Sequence, residues 1–324
     1  MSWTNNEVLR VSKLKTYFFT RRGVVKAVDG VSFSLKQGEI MGLVGESGAG
    51  KSVTGFSILG LVDEPGRIVE GEILFEGQDL LTMPEPELEA IRGNRISMVF
   101  QDPQTSLDPV FTIGYQIVEA LRVHTDINRA AAHQGAIDLL QSVGIPSPEE
   151  RINDYPHQFS GGMRQRVVIS IAIASNPALI IADEPSTALD VTIQAQVLIL
   201  MRNLVRQKQT AMILITHDIA LVGQFCDQIC VMYAGIMVEK GAKEEVIRNP
   251  LHPYTQGLIG SIPGRQERRQ RLAQIPGMMP NLIEMPEGCP FSPRCDQANS
   301  NCRIRPELVE FSPDHWVACY RRQK

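Results

Sequence analysis

The chain predicts an α/β fold with a mainly parallel sheet. Short β-branched runs, Glu39 to Val44, Ile96 to Phe100, Leu179 to Ala182 and Met212 to Ile215, recur through the first 250 residues with helical stretches between them. A glycine-rich turn, Gly45-Glu46-Ser47-Gly48-Ala49-Gly50-Lys51-Ser52, follows the first run directly and opens onto a helical one. Composition agrees: of 324 residues 43% are apolar and 21% charged, which is the usage of a globular chain and neither a disordered nor a collagen-like one.

Beside that parallel core the elements fall in order. Val31 to Leu35 alternates polar and apolar residues, and Glu72 to Phe75 is a second short strand. Ile229 to Tyr233 and Ile236 to Glu239 flank Ala234-Gly235 as a hairpin, and together these runs predict an antiparallel layer. From Gln101 to Pro177 the pattern turns helical. Ala130 to Val143 carries apolar residues at 136, 137, 139, 140 and 143, so a helical subdomain is expected over about 101–177. Ten of the chain's 20 prolines stand at or after Pro250, which predicts a main domain over 1–250 and a loop-rich extension over 251–324. There is no internal repeat.

Charge and hydropathy exclude some functions. The 32 basic and 36 acidic side chains nearly balance, leaving a net charge of −4 and no electrostatic case for nucleic-acid binding. Met1 to Glu7 has neither a basic start nor an apolar run, so no secretory signal is expected and the chain is placed in the cytosol. The stretch Val167 to Ala182 is too short to span a bilayer and is interrupted by Ser170, Ser175, Asn176 and Pro177.

The turn Gly45–Ser52 fits G-x-x-x-x-G-K-[ST] in the context that motif requires. Its glycines let backbone N–H groups turn toward phosphate oxygens. The helix N-terminus adds partial positive charge, Lys51 reaches the β- and γ-phosphates, and Ser52 would ligate magnesium. Leu179-Ile180-Ile181-Ala182-Asp183-Glu184 is an apolar strand ending in two carboxylates, with Asp183 suited to the magnesium shell and Glu184 to a general base for water. Ser160-Gly161-Gly162 opens the helical run Met163 to Ala174 and forms a second anion site, although the same residues would serve as an ordinary N-cap.

At this point the chain resembles the ATP-binding subunits of ABC transporters over about residues 7–250. The resemblance rests on an ordered set. It comprises Gly45 to Ser52 (Walker A), Gln101 in Val99-Phe100-Gln101-Asp102-Pro103 (Q-loop), Ser160 to Met163 (signature), Leu179 to Glu184 (Walker B), Ala188-Leu189-Asp190 (D-loop) and His217 (switch histidine). The family's signature is usually Leu-Ser-Gly-Gly-Gln, and Phe159 and Met163 stand at its ends here. The resemblance implies that ATP contacts Gly45, Glu46, Ser47, Gly48, Ala49, Gly50, Lys51 and Ser52. It assigns Asp183, Ser52 and Gln101 to magnesium, Gln101 also to the attacking water, His217 to the γ-phosphate, and Ser160, Gly161, Gly162 and Asp190 to the partner half of an ATP sandwich. Of Tyr17-Phe18-Phe19, Phe18 lies in register with the aromatic residue that faces adenine, with core packing as the other reading.

A second resemblance covers 250–320. His252-Pro253-Tyr254-Thr255 and Gly288-Cys289-Pro290-Phe291-Ser292-Pro293-Arg294-Cys295 resemble the C-terminal extension of dipeptide, oligopeptide and nickel importer ATPases of bacteria. Cys289, Cys295, Cys302 and Cys319 crowd this extension, and in a cytosolic chain they read as a metal site rather than a disulfide frame. Their spacing lacks the C-x₂₋₄-C pairs of zinc sites. A [4Fe–4S] cluster is what the resemblance implies, with zinc and four free thiols as the alternatives and His315 as a substitute ligand. Cys226 and Cys230 read as core residues, and the basic run Arg265 to Arg271 as a solvated helical face.

Together the resemblances imply an ATPase subunit of a bacterial importer of di- or oligopeptides, peripheral on the cytoplasmic face of the inner membrane. Its implied partners are a second ATPase chain, two membrane-spanning permease subunits and an extracytoplasmic binding protein, with no nucleic acid. Importers of nickel or another small solute, a soluble ABC ATPase, and a module that uses nucleotide only as a switch are the alternative readings.

Overall fold

The computed structural model describes residues 6–187, 189–262 and 274–322. The N-terminal residues Met1 to Asn5, Ala188 of the D-loop and the basic run Arg265 to Arg271 lie outside the described residues. Twelve strands occur among the described residues. They are β1 (Glu7–Thr20), β2 (Gly23–Lys36), β3 (Ile40–Val44), β4 (Gly66–Phe75), β5 (Gln78–Asp79), β6 (Ile96–Val99), β7 (Leu179–Asp183), β8 (Ala211–Thr216), β9 (Gln228–Tyr233), β10 (Ile236–Ala242), β11 (Val309–Ser312) and β12 (His315–Val317). The chain forms two compact units: Met1–Leu35, Glu39–Thr82 and Leu214–Lys324 make the first, Lys36–Gly38 and Met83–Ile213 the second.

The first unit holds a four-stranded sheet in the order β2-β1-β4-β5. β1 runs antiparallel to β4, from Leu9 opposite Phe75 to Phe18 opposite Gly66. The register slips between Ser12 and Thr16, where Lys13 takes a left-handed backbone (φ 48°) and its N–H donates to Ser32 Oγ at 2.8 Å. That bulge breaks the period-2 pattern of a 14-residue strand.

The same unit carries the strand order β11-β12-β10-β9-β3. β3 and β9 are parallel, Met41 opposite Gln228 and Val44 opposite Val231, while β9 and β10 form an antiparallel hairpin. The hairpin therefore belongs to the sheet that contains β3 and not to the antiparallel layer expected from its sequence. All five residues of β3 are buried, as are all but the first of β9, and two apolar strands of this kind bury each other best side by side. The proline-rich tail also adds strands: β12 pairs with β10, Glu239 opposite Val317 and Gly241 opposite His315, and β11 pairs with β12. At four and three residues these strands are too short to show an alternating pattern. Glu239 fastens them. Its fully buried carboxylate accepts the N–H groups of Leu251 (2.9 Å) and His252 (2.8 Å) and lies 2.8 Å from His315 Nε2.

The second unit holds β8-β7-β6 through Ile213 of β8, with β6 and β7 parallel from Ile96 opposite Leu179 to Val99 opposite Ala182. Its helices Ile113–Val123, Arg129–Ser142, Gly161–Ala172 and Val191–Lys208 begin at Thr112, Asn128, Ser160 and Asp190. Each of those side chains accepts a backbone N–H of the first turn, which satisfies donors that helix geometry leaves without partners. Helix 129–142 buries Ala132, Ala136, Ile137 and Leu140, one stripe at helical spacing.

Candidate functional site

In the first unit, β3 delivers the chain into the turn Gly45–Gly50 and the helix Lys51–Leu59. Two glycines are compulsory there. A Cβ on Gly45 would lie 2.2 Å from the Met232 carbonyl oxygen, and one on Gly50, whose φ is +99°, would lie 2.1 Å from that of Ala27. Lys51 is only 5% exposed, and its ammonium donates to the carbonyls of Gly45 (2.9 Å) and Glu46 (3.0 Å), so the turn wraps the charge that opens the helix. Ser52 is half-buried in the first helical turn, while Ser47 and Gly48 are exposed at the crest of the loop. A buried cation, a helix N-terminus and an exposed glycine-rich crest make an anion cradle. Ala49 is locked behind it: its carbonyl accepts the Gly235 N–H at 3.0 Å and its N–H donates to the Glu46 carbonyl at 3.1 Å.

The aromatic trio lies on β1. Tyr17 donates its hydroxyl to Asp29 Oδ1 (2.6 Å), and the Arg67 guanidinium sits 4.1 Å over the exposed Phe19 ring. Phe18 is half-buried, opposite Gly66 in register, and a Cβ on Gly66 would meet its Cε1 at 2.6 Å. His217 is exposed immediately after β8. The helix Ile219–Phe225 behind it is capped by Asp218, whose Oδ1 accepts the N–H groups of Ala220 (2.8 Å) and Leu221 (3.3 Å).

In the second unit, the register of β6 on β7 brings distant polar residues to one sheet edge. Val99 lies opposite Ala182, so Gln101 and Glu184, each two residues further on, emerge together. Gln101 Nε2 donates to Glu184 Oε2 at 3.2 Å, and Thr187 Oγ1 donates to the same oxygen at 2.8 Å. Asp183 is buried at the end of β7, and Glu184 has φ +44°, a backbone region rarely taken by a non-glycine residue. The carboxylate of Glu184 is thus aimed by backbone and side-chain partners alike. Ser160 caps the helix Gly161–Ala172, its Oγ accepting the Met163 N–H at 3.3 Å. A Cβ on Gly162 would meet Ile193 Cγ2 at 2.7 Å and one on Gly161 would lie 3.6 Å from Leu189 Cδ2, so Ser160-Gly161-Gly162 packs on the turn around Asp190. Asp190 Oδ1 caps the next helix, accepting from Thr192 (3.1 Å) and Ile193 (3.0 Å).

Cys289, Cys295, Cys302 and Cys319 are free thiols and line one cavity of about 20 Å³, with His252 and Phe291 in its wall. The Cys289 N–H donates to the Cys302 carbonyl at 2.9 Å. Burial, with Cys302 and Cys319 close by, pushes the Cys289 thiol up to about 11, and burial likewise raises Cys295 and Cys319. Among the described residues no group of three or more His, Cys, Asp or Glu side chains is drawn together closely enough to hold a metal ion. His315, the substitute ligand expected from sequence, is instead taken up by Glu239. Cys226 and Cys230 are core residues, and burial pushes the Cys230 thiol up to about 12.

Two groups of residues have a part that the sequence reading does not assign. Arg294 and Tyr254, which the sequence places only within the two segments that resemble the importer extension, bind Glu46 of the glycine loop. In the second unit Val110 is 69% exposed beside Phe111 and Tyr115, whose stacked rings are 4.6 Å apart, near a cavity of about 330 Å³ lined by Tyr115, Arg122 and His133. Three exposed apolar side chains within six positions are the signal for that patch.

Comparison with known proteins shows which family the chain belongs to. The ABC transporter family matches residues 28–187, and the family "Oligopeptide/dipeptide transporter, C-terminal region" matches residues 238–302. The probable peptide ABC transporter ATP-binding protein y4tR of Sinorhizobium fredii is 48% identical over 317 residues, 97% of this chain and 95% of that one. The dipeptide transport ATP-binding protein DppD of Escherichia coli is 49% identical, covering 95% of this chain and 94% of its own. The oligopeptide transport ATP-binding protein OppD of Haemophilus influenzae is 46% identical, covering 97% of both. Among solved structures, the ATP-binding cassette MJ0796, a dimer in a post-hydrolysis state bound to ADP and Pi, superposes with a TM-score of 0.65 at 25% identity, over 72% of this chain and 98% of its own. The chain belongs to the ATP-binding proteins of ABC transporters, in the group that joins the ATPase cassette to the oligopeptide/dipeptide transporter C-terminal region.

Proposed function

We propose that this chain is the ATP-hydrolysing subunit of a bacterial ABC importer of di- or oligopeptides. The observation that carries the reading is one chain holding both the cassette and the peptide-transporter C-terminal region, with full-length relatives that are dipeptide and oligopeptide transport proteins. Its functional division is 1–250 for the ATPase and 251–324 for the extension, with a helical subdomain over about 101–177. The loop Gly45–Ser52 binds the phosphates, Phe18 faces adenine and His217 meets the γ-phosphate. Ser52, Gln101 and Asp183 offer oxygen donors, the class a hard divalent cation takes, so they suit magnesium, which when bound neutralises and orients the phosphates. Glu184 takes the proton of the attacking water, a role supported by the way Gln101 and Thr187 fix its Oε2.

One chain carries one glycine loop and one Ser-Gly-Gly, so a second ATPase chain completes each ATP site through Ser160, Gly161, Gly162 and Asp190. Two permease subunits and an extracytoplasmic binding protein complete the importer, and the apolar patch Val110, Phe111 and Tyr115 supports docking to the permease. The chain takes a peripheral place beside those permeases on the cytoplasmic face of the inner membrane; among its described residues no helix is long and apolar enough to cross a membrane.

Substitution separates these roles. Glu184→Gln keeps the shape of the base and removes its proton affinity, so ATP binding persists while turnover falls about 10²–10⁴-fold. Lys51→Ala weakens nucleotide binding itself. Turnover of Glu184→Gln within about threefold of the parent would remove Glu184 from the reaction.

The four cysteines are proposed to hold a [4Fe–4S] cluster. The support is the donor set: four sulfurs, the class that such a cluster takes, line one cavity, and binding would draw together thiols that in this structure do not form a metal-holding group. Anaerobic purification with iron, sulfide and zinc analysis and visible spectroscopy tests this: a brown, iron-bearing protein is expected. A colourless protein with one zinc, or with no metal, rejects the cluster.

A further inference from the structure

The glycine loop of the first unit is gripped from outside its own motif by the C-terminal extension. Arg294, its side chain only 6% exposed, donates Nη1 to Glu46 Oε2 (2.8 Å) and Nη2 to Glu46 Oε1 (3.1 Å). This is the two-pronged geometry in which a guanidinium holds a carboxylate most firmly. The arginine is itself held: Nε donates to the Pro276 carbonyl (2.8 Å) and Nη1 to the Tyr233 hydroxyl (3.3 Å). The backbone N–H of Glu46 donates to the hydroxyl of Tyr254, a fully buried residue whose ring meets Tyr233 edge-on at 4.7 Å and Phe291 at 5.4 Å. Met279, also in the extension, lies against one side of the exposed crest, since a Cβ on Gly48 would lie 2.8 Å from its methyl carbon.

Glu46 is a problem for a loop that receives a polyphosphate. A carboxylate one residue into the motif places negative charge beside the most anionic part of the ligand, and in a partly desolvated loop that repulsion is only weakly screened. Arg294 cancels the charge and turns both oxygens toward the extension. At the same time the Tyr254 contact fixes the backbone of Glu46, the residue whose carbonyl also receives Lys51.

We propose that Arg294 is a positioning residue for nucleotide binding: acting through Glu46, it neutralises and orients the glycine loop so that the loop accepts the phosphates of ATP. The inference rests on the reading of Gly45–Ser52 as the phosphate-binding loop. It gives the extension a role at the ATP site that is separate from any group held by its cysteines.

The test uses the full-length chain, magnesium and ATP, with affinity read by titration, folding by thermal melting, and KM and kcat by phosphate release. Arg294→Ala is expected to weaken ATP about tenfold and to raise KM with little change in kcat. Arg294→Lys, which keeps the charge and loses the two-pronged geometry, recovers part of the loss. The double variant Arg294→Ala/Glu46→Gln binds ATP more tightly than Arg294→Ala alone, because the carboxylate that needs neutralising is gone. A purely structural arginine would give an additive double variant and a lowered melting temperature without rescue, and that pattern overturns the proposal. So does ATP affinity within twofold of the parent in Arg294→Ala. Should the alanine variant fail to fold, Arg294→Lys carries the test, with a two- to fivefold loss expected and no loss overturning the proposal. Lys51→Ala run alongside separates the two levels. If it leaves ATP binding intact, the loop assignment itself falls; if it abolishes binding while Arg294→Ala does not weaken it, only the role of Arg294 falls.

Discussion

At the scale of single residues, Asp29 shows how the extension is tied to the body of the first unit. Its carboxylate accepts the Tyr17 hydroxyl at 2.6 Å on one oxygen and the Arg305 guanidinium on the other, and its N–H donates to the Gly235 carbonyl at 2.7 Å. Burial alone would raise this carboxyl, but the hydrogen bonds from Tyr17 and Arg305 outweigh burial and hold it below its ordinary value of 3.8. A carboxyl lowered by folding contributes stability that is fully present above the unfolded-state value and is lost as pH falls through the folded one. As pH falls below the ordinary carboxyl range and through the lower folded value, the first unit therefore loosens as Asp29 takes a proton and releases Arg305. Asp29→Asn is expected to lower the melting temperature at pH 7 and to flatten the loss between pH 5 and pH 3. Thermal melts of both proteins across that range check it, and parallel curves would show that Asp29 carries none of the acid sensitivity.

At the scale of elements, what the sequence reveals depends on how local the governing interaction is. The helices of the second unit are legible because their caps and apolar stripes lie within a few residues: Asn128 before Arg129–Ser142, with Ala132, Ala136 and Leu140 on the buried side. The glycine loop is legible for the same reason, its strand, turn and helix being contiguous. β1 is not, because the bulge at Lys13 shifts the alternation halfway along, and a 14-residue strand then reads as two unrelated fragments. β11 and β12 are hidden for another reason. β12 exists only as a partner of β10, about 75 residues earlier in the chain, and β11 only as a partner of β12, and their own seven residues carry no periodic signal. The meeting of Gln101 with Glu184 required the parallel register of β6 on β7, whereas the residue types at both positions were readable in advance. Arg294 and Tyr254 sit in segments whose prolines and cysteines announce loops, and nothing local says that their side chains reach Glu46, 248 and 208 positions away.

At the scale of the whole chain, Glu239 decides whether the extension is an optional appendage. It stands on β10, within the region that reads as the ATPase, and its carboxylate is fully buried. Its three hydrogen-bond partners, the Leu251 and His252 N–H groups and His315 Nε2, all come from beyond residue 250. Removing 251–324 would deprive that carboxylate of all three partners at once, and where a charge stays shielded from water such a loss costs about 3–5 kcal/mol. It would also uncover the β10 edge now paired with β12, a template for aggregation, and release Glu46 from Arg294 and Tyr254. Against a typical total stability of about 5–15 kcal/mol, the first loss alone is a large fraction, worth roughly 6–20 °C in melting temperature for a chain of this size. The truncated chain 1–250 is therefore expected to express poorly or melt at least about 6 °C below the full-length protein. Glu239→Gln in the truncated chain should recover part of that, since an amide is cheaper to bury than a carboxylate. A truncated chain that melts within 2 °C of the full-length protein, or a Glu239→Gln change that lowers its stability further, would mean that the extension is a passenger on a self-sufficient ATPase.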